Sequence, residues 1–114
     1  MKIIVPIEDE MIYQHFGHTP MFRLYEIEEN GIVHTQEYPT SGHGHVVMCQ
    51  MVFDLGATVV IAGGYGMPVQ ETLTLHGVRI FGGVSGNADE AVSAYLNGRL
   101  TYNANIAHHC GCHH

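Results

Sequence analysis

The chain has 114 residues, the size of one domain, and at this length a core holds without disulfide or metal staples. Eleven carboxylates face four Lys and Arg, a net charge of −7 with His neutral, which excludes a broad basic surface for phosphate backbones and a polybasic membrane anchor. Hydrophobic residues make up 46% and charged ones 13%, a balance that excludes global disorder.

Ten His and 14 Gly stand out, and Trp is absent. The three Cys are an odd count with two of them near the C-terminus, which specifies no disulfide framework and points to the reducing cytoplasm. The opening run Met1–Glu8 is broken by Pro6 and Glu8, so it does not read as a signal peptide. No run approaches the ~20 apolar residues of a membrane span.

Lys2–Glu8 is short, β-branched and apolar, which predicts a buried strand. Asp9–Pro20 is polar and broken by Gly17 and Pro20, which predicts a loop. Met21–Glu29 alternates, with Phe22 and Leu24 on one side and Arg23, Tyr25 and Ile27 on the other. Asn30-Gly31 is a hairpin signal, because both residues tolerate positive φ, and Ile32–Tyr38 is the expected return strand.

His45–Leu55 reads as a helix stopped by Gly56 and apolar on nearly every side, which suits deep burial or an interface. Ala57–Ala62 is the cleanest buried strand, followed by the turn Gly63-Gly64-Tyr65-Gly66. Pro68 suits the first turn of a helix running to about His76. Val78–Phe81 is another strand, followed by Gly82–Gly86. Asn87, with Glu90 three residues on, caps a last helix that Gly98 stops.

The β-hairpin followed by two βα units predicts a three-layer α/β fold. Its sheet is mixed and five-stranded with helices on both faces, and the crossover strands are parallel. Ligands of such folds gather beyond the carboxyl ends of the strands. The loops expected there carry His15, Gly17, His18, His43, His45, Gly63, Gly64 and Gly66. Glycines let a backbone come close, helix N-termini offer N–H groups to an anion, and imidazole adds soft-metal ligation. Taken singly, a glycine after a strand is ordinarily a turn residue, and Cys49 reads as a small core residue.

The end of the chain carries a second ligand set. Cys110 and Cys112 stand one residue apart, and His108, His109, His113 and His114 flank them. Two thiolates with neighbouring imidazoles suit Zn, Ni, Cu or Fe. The expected organisation is therefore a domain over residues 1–100 and a His/Cys-rich tail over 101–114. A nuclease is disfavoured: Glu8, Asp9 and Glu10 have no matching carboxylates on the other strands, and the net charge repels nucleic acid.

Three segments taken together resemble a known family: His15-Phe16-Gly17 with Pro20, Phe22 and Tyr25; Val59–Gly64; and Glu90–Leu100. They look like the dinitrogenase iron–molybdenum cofactor biosynthesis family, which includes NifX, the core of NafY and the C-terminal part of NifB. The resemblance covers residues 1 to about 100. It implies a ribonuclease-H-like fold and a small non-catalytic carrier of iron–sulfur or iron–molybdenum clusters, or their precursors. It also implies cluster donor and acceptor proteins as partners, and it places the family's cluster-binding histidine on His15. Neither nucleic acid nor membrane is expected as a partner, and a homodimer is compatible. The alternative reading is a transition-metal binding, storage or sensing protein acting through the tail.

Overall fold

Strand β1, Lys2–Glu8, decides the layering. Successive side chains of a strand point to opposite faces. Ile3, Val5 and Ile7 accordingly join one buried cluster, and Ile4 the other. The computed structural model describes residues 1–40 and 44–103, and in it both faces of β1 are covered.

The chain then turns back at once. Asp9 and Glu10 take φ of 53° and 69°, and the two-residue strand β2, Met11–Ile12, pairs antiparallel with β1. A loop was expected here, and five strands in all; β2 makes the described sheet six-stranded. A two-residue strand is too short to leave a period in the sequence. Strands β3, Met21–Glu28, and β4, Gly31–Pro39, form the expected hairpin, but it turns on Glu29 and Asn30, at φ 53° and 64°. Glu28 pairs with Gly31, so the turn lies one residue earlier than Asn30-Gly31 suggests. A register shift beside Glu26 and Ile27 then lets Ile27 face Ile32 while Glu26 faces His34.

Helix α1 is His45–Leu55, and Gly56 ends it at φ 79°. Strand β5, Val59–Ile61, helix α2, Met67–Leu75, and strand β6, Arg79–Phe81, follow. Helix α3, Ala88–Leu96, starts at Asn87, whose side-chain oxygen accepts the Glu90 N–H at 2.9 Å. The strand order is β4-β3-β1-β5-β6, with β1, β5 and β6 parallel and β3 antiparallel to β1.

Helices α1 and α2 pack through Met48, Val52, Val69 and Leu73 on the face that carries Ile4, Phe22, Leu24 and Val60. Helix α3 packs through Ala88, Ala91 and Val92 on the face that carries Ile3, Val5, Tyr25 and Ile61. Each large apolar side chain buried this way contributes about 1.5–3 kcal/mol. Strand β4 is a mostly exposed edge.

Among the described residues one charged side chain is buried. Arg23 is 6% exposed, on the α3 face of β3. Its guanidinium donates to Glu37 on the neighbouring strand, to Glu10 at 2.7 Å and to Asp89 of α3 at 3.1 Å. The Tyr25 hydroxyl donates to the same Asp89.

Candidate functional site

The carboxyl ends of the parallel strands meet a reversal of direction. The chain leaving β1 turns toward β3, whereas the chain leaving β5 crosses to β6 on the other side. Such a switch point opens a crevice, and here it is a cavity of about 480 Å3. It is lined by Gln14–His18, by Gly44 and His45 at the start of α1, and by Gly64, Tyr65, Gly66, Pro68 and Val69 leading into α2.

The wall that carries His15 is built on Phe16. Its ring is 1% exposed and lies 5.8 Å from the Phe22 ring. Phe16–His18 makes one 3-10 turn, and the buried Thr19 hydroxyl donates to the Phe16 carbonyl at 2.7 Å. With Phe16 held inside, His15 and His18 stand exposed on either side of it. Two further bonds tie this turn to the opposite wall: Phe16 N–H donates to the Gly64 carbonyl at 3.1 Å, and Gly64 N–H to the Gln14 carbonyl at 2.9 Å.

The first turns of α1 and α2 bring backbone donors. Both helices have glycine caps, Gly44 and Gly66, and neither has a side-chain cap hydrogen bond. Helix α3, which lies away from the cavity, has its Asn87 cap. Gly44 takes φ 102°, a conformation glycine reaches without strain, and its N–H donates to the Gly17 carbonyl at 3.1 Å. Among the described residues no Asp, Glu, Lys or Arg lines the cavity, although the chain carries 15 such residues. Its polar character comes from imidazoles, backbone groups and Gln14.

Of the residues expected at a site, His15, Gly17, His18, His45, Gly64 and Gly66 line this one cavity. Gly63 does not. It is buried behind Gln14, and a Cβ there would lie 2.5 Å from the Gln14 side chain, so its lack of a side chain serves packing. His43 lies outside the described residues, as do His108, His109, Cys110, Cys112, His113 and His114. Cys49 is a core residue, 2% exposed, and burial pushes its thiol up to about 11.

Gln14, Phe16, Gly44, Tyr65, Pro68 and Val69 line the cavity outside the expected set, and two of them shape it. Gln14 clamps the turn by donating from its amide to the carbonyls of Ile12 at 3.1 Å and Val84 at 3.2 Å. Tyr65 forms part of the floor, and its place inside the glycine-rich turn was the available signal. Among the described residues no helix is long and apolar enough to cross a membrane.

Fold and cavity together define a small α/β domain with a histidine- and glycine-lined pocket at its strand ends. The chain belongs to the dinitrogenase iron-molybdenum cofactor family, whose sequence model matches residues 1–98. An uncharacterized protein of Methanocaldococcus jannaschii, MJ0580, is 26% identical over 106 residues, 88% of this chain and 89% of that one. The crystal structure of PH0822 is similar with a TM-score of 0.85 at 23% identity, over 93% of this chain and 97% of that one. The apo form of the orange protein from Desulfovibrio gigas gives 0.77 at 18% identity, over 90% and 92%. At these identities the two structures speak for the fold alone.

Proposed function

We propose that the chain is a small carrier: it takes an anionic metal–sulfide cluster, of iron–sulfur or iron–molybdenum type or a precursor of one, into the pocket and hands it on. The observation that carries this reading is the donor set, found in a member of this family. Three exposed imidazoles and two glycine-capped helix N-termini surround a cavity whose described lining residues include no carboxylate. Imidazole ligates iron and copper, and N–H groups with the helix dipole stabilise negative sulfur. A lining without carboxylates spares an anionic cargo repulsion at short range.

The cluster is cargo, so the role is transport between a donor and an acceptor protein in the cytoplasm, without catalysis, nucleic acid or membrane. A ligand set short of four thiolates suits release as well as capture. The ribonuclease-H-like class belongs to the same reading and is supported by antiparallel β3 beside central β1.

Anaerobic titration with isolated iron–molybdenum cofactor, or with iron and sulfide reconstituted on the chain, tests it. His15→Ala is expected to weaken binding by about 1.5–3 kcal/mol, the scale of a lost charge-assisted contact. The fold should not respond, because His15 is exposed. Unchanged affinity in both His15→Ala and His45→Ala would overturn the carrier reading.

A further inference from the structure

Beside β6 and α2 lies a second recess, of about 230 Å3. Pockets for drug-sized ligands begin at about 300 Å3, so this one suits a smaller molecule, the size of a single ring with its substituents. It shares Tyr65 with the pocket at the strand ends but none of that pocket's histidines.

The rim of the recess offers a cation. Arg79 and Thr74 line it and are exposed. The Arg23 guanidinium is held by three carboxylates, whereas Arg79 has no carboxylate partner among the described residues. Its guanidinium carbon lies 5.1 Å from the centre of the Phe81 ring. That contact orients the group and leaves its fork of N–H donors to an anion. In a chain of net charge −7 the field as a whole repels anions, so an anion is held only where a cation stands unpaired.

The wall offers the opposite group. Gln70 stands one helical turn before Thr74 on α2, and its side-chain Oε1 is buried with no hydrogen-bond partner. Buried polar atoms are nearly always paired, so this oxygen calls for a donor from outside the chain. Gln70 lines the recess, and the terminal torsion of a carboxamide is soft, so a donor seated there can meet the oxygen. Much of the remaining wall is aromatic. The Tyr102 ring stands edge-on to Phe81 with centroids 4.9 Å apart. Asn103 N–H donates to the Gly82 carbonyl at 2.7 Å, which pins the segment that carries Tyr102.

We propose that this recess binds a small, flat organic acid that carries an O–H or N–H donor at a distance from its carboxylate. The carboxylate takes the Arg79 fork, the flat body lies against Phe81 and Tyr102, and the donor pairs with Gln70 Oε1. The binding is non-covalent. It stands apart from the carrier reading, because His15, His18 and His45 take no part in it.

Titration of the whole, unloaded chain with 4-hydroxybenzoate, followed by amide NMR shifts, tests it, with benzoate as the control that lacks the donor. One site saturating below about 10 mM is expected for 4-hydroxybenzoate, with shifts at Ile80, Phe81 and Tyr102. Benzoate should bind at least about tenfold more weakly, because it leaves the Gln70 oxygen unpaired. Arg79→Gln should weaken both acids about tenfold and should fold normally, since Arg79 is exposed. Gln70→Leu removes the unpaired oxygen and should make the two acids bind alike. The benzoate comparison and Arg79→Gln decide the matter even if Gln70→Leu does not fold. Equal binding of the two acids by the unaltered chain, or a difference that survives Gln70→Leu, overturns the proposal. So does binding indifferent to Arg79→Gln, the lack of saturation, or shifts confined to the segments of His15 and His45. Each of these results leaves the carrier reading standing, whose own test is cluster binding by the histidine variants.

Discussion

The two faces of the sheet treat polar groups in opposite ways. On the α3 face Arg23 is buried, and every nitrogen of its guanidinium has a carboxylate partner: Glu37, Asp89 or Glu10. On the α1 and α2 face three imidazoles stand exposed around two helix N-termini that carry glycine caps. Groups whose partners are all internal serve the fold. Donors left without an internal acceptor beside a cavity are available to a ligand. The difference separates a structural network from a candidate binding site although both lie within one small domain.

The largest expected effect falls on the structural side. Arg23→Met removes the cation and leaves three carboxylates crowded at one spot. Breaking a fully buried pair costs about 3–5 kcal/mol. Here the carboxylate side chains are 45–61% exposed, and solvent screens their repulsion, so a loss of about 2 kcal/mol is expected in urea unfolding. Cargo affinity of the folded variant should stay within twofold of the unaltered chain. A drop of tenfold or more would mean that the two faces are coupled, and the contrast between them would fail.

Acid sharpens the same point. The hydrogen bond from Arg23, and then its charge, hold the Glu10 carboxyl below its ordinary value of 4.5. A carboxyl depressed in the folded state gives stability that is present above the unfolded value and is lost as pH falls through the folded one. The stability gap between the unaltered chain and Arg23→Met should therefore be constant above pH 5 and narrow below about 4.5. At the other extreme, burial and then the bond to Asp89 push the Tyr25 hydroxyl upward. The folded state keeps that proton where the unfolded chain loses it, so stability should fall as pH rises past 10. Unfolding curves across both ranges check these signs.

What the residues disclose ahead of the structure depends on range. Helices α1 and α3 are legible because their signals are local: Gly56 stops one, and Asn87 with Glu90 starts the other. Parallel β1, β5 and β6 follow from the βα units, and the switch-point rule brings His15, His18 and His45 to one place without any coordinates. Strand β2 is illegible, since Asp9 and Glu10 take left-handed φ that neither residue type announces. The Arg23 network is illegible for another reason. Its partners lie 13, 14 and 66 residues away, and alternation along β3 assigns Arg23 a face without naming what waits there. Gly63 reads like Gly64 until Gln14 is seen to cover it.

The smallest effect concerns the pocket's own backbone donors, and two glycines separate packing from binding there. A Cβ on Gly64 would meet the Gln14 carbonyl oxygen at 2.8 Å, so that site has no room for a methyl unless backbone moves. A Cβ on Gly17 would sit 3.6 Å from the His45 nitrogen and 3.9 Å from Gly44, which is ordinary contact. Gly17 does not occupy the left-handed region, so Gly17→Ala should fold with stability within about 0.5 kcal/mol of the unaltered chain. Its methyl would stand over the His45 N–H in the first turn of α1. If that N–H contributes to holding the cargo, affinity should fall by about 0.5–1 kcal/mol, the net scale of one hydrogen bond. That corresponds to roughly two- to fivefold in the anaerobic titration. Full affinity in Gly17→Ala would show that the α1 terminus takes no part, and the imidazoles would then carry the site without it.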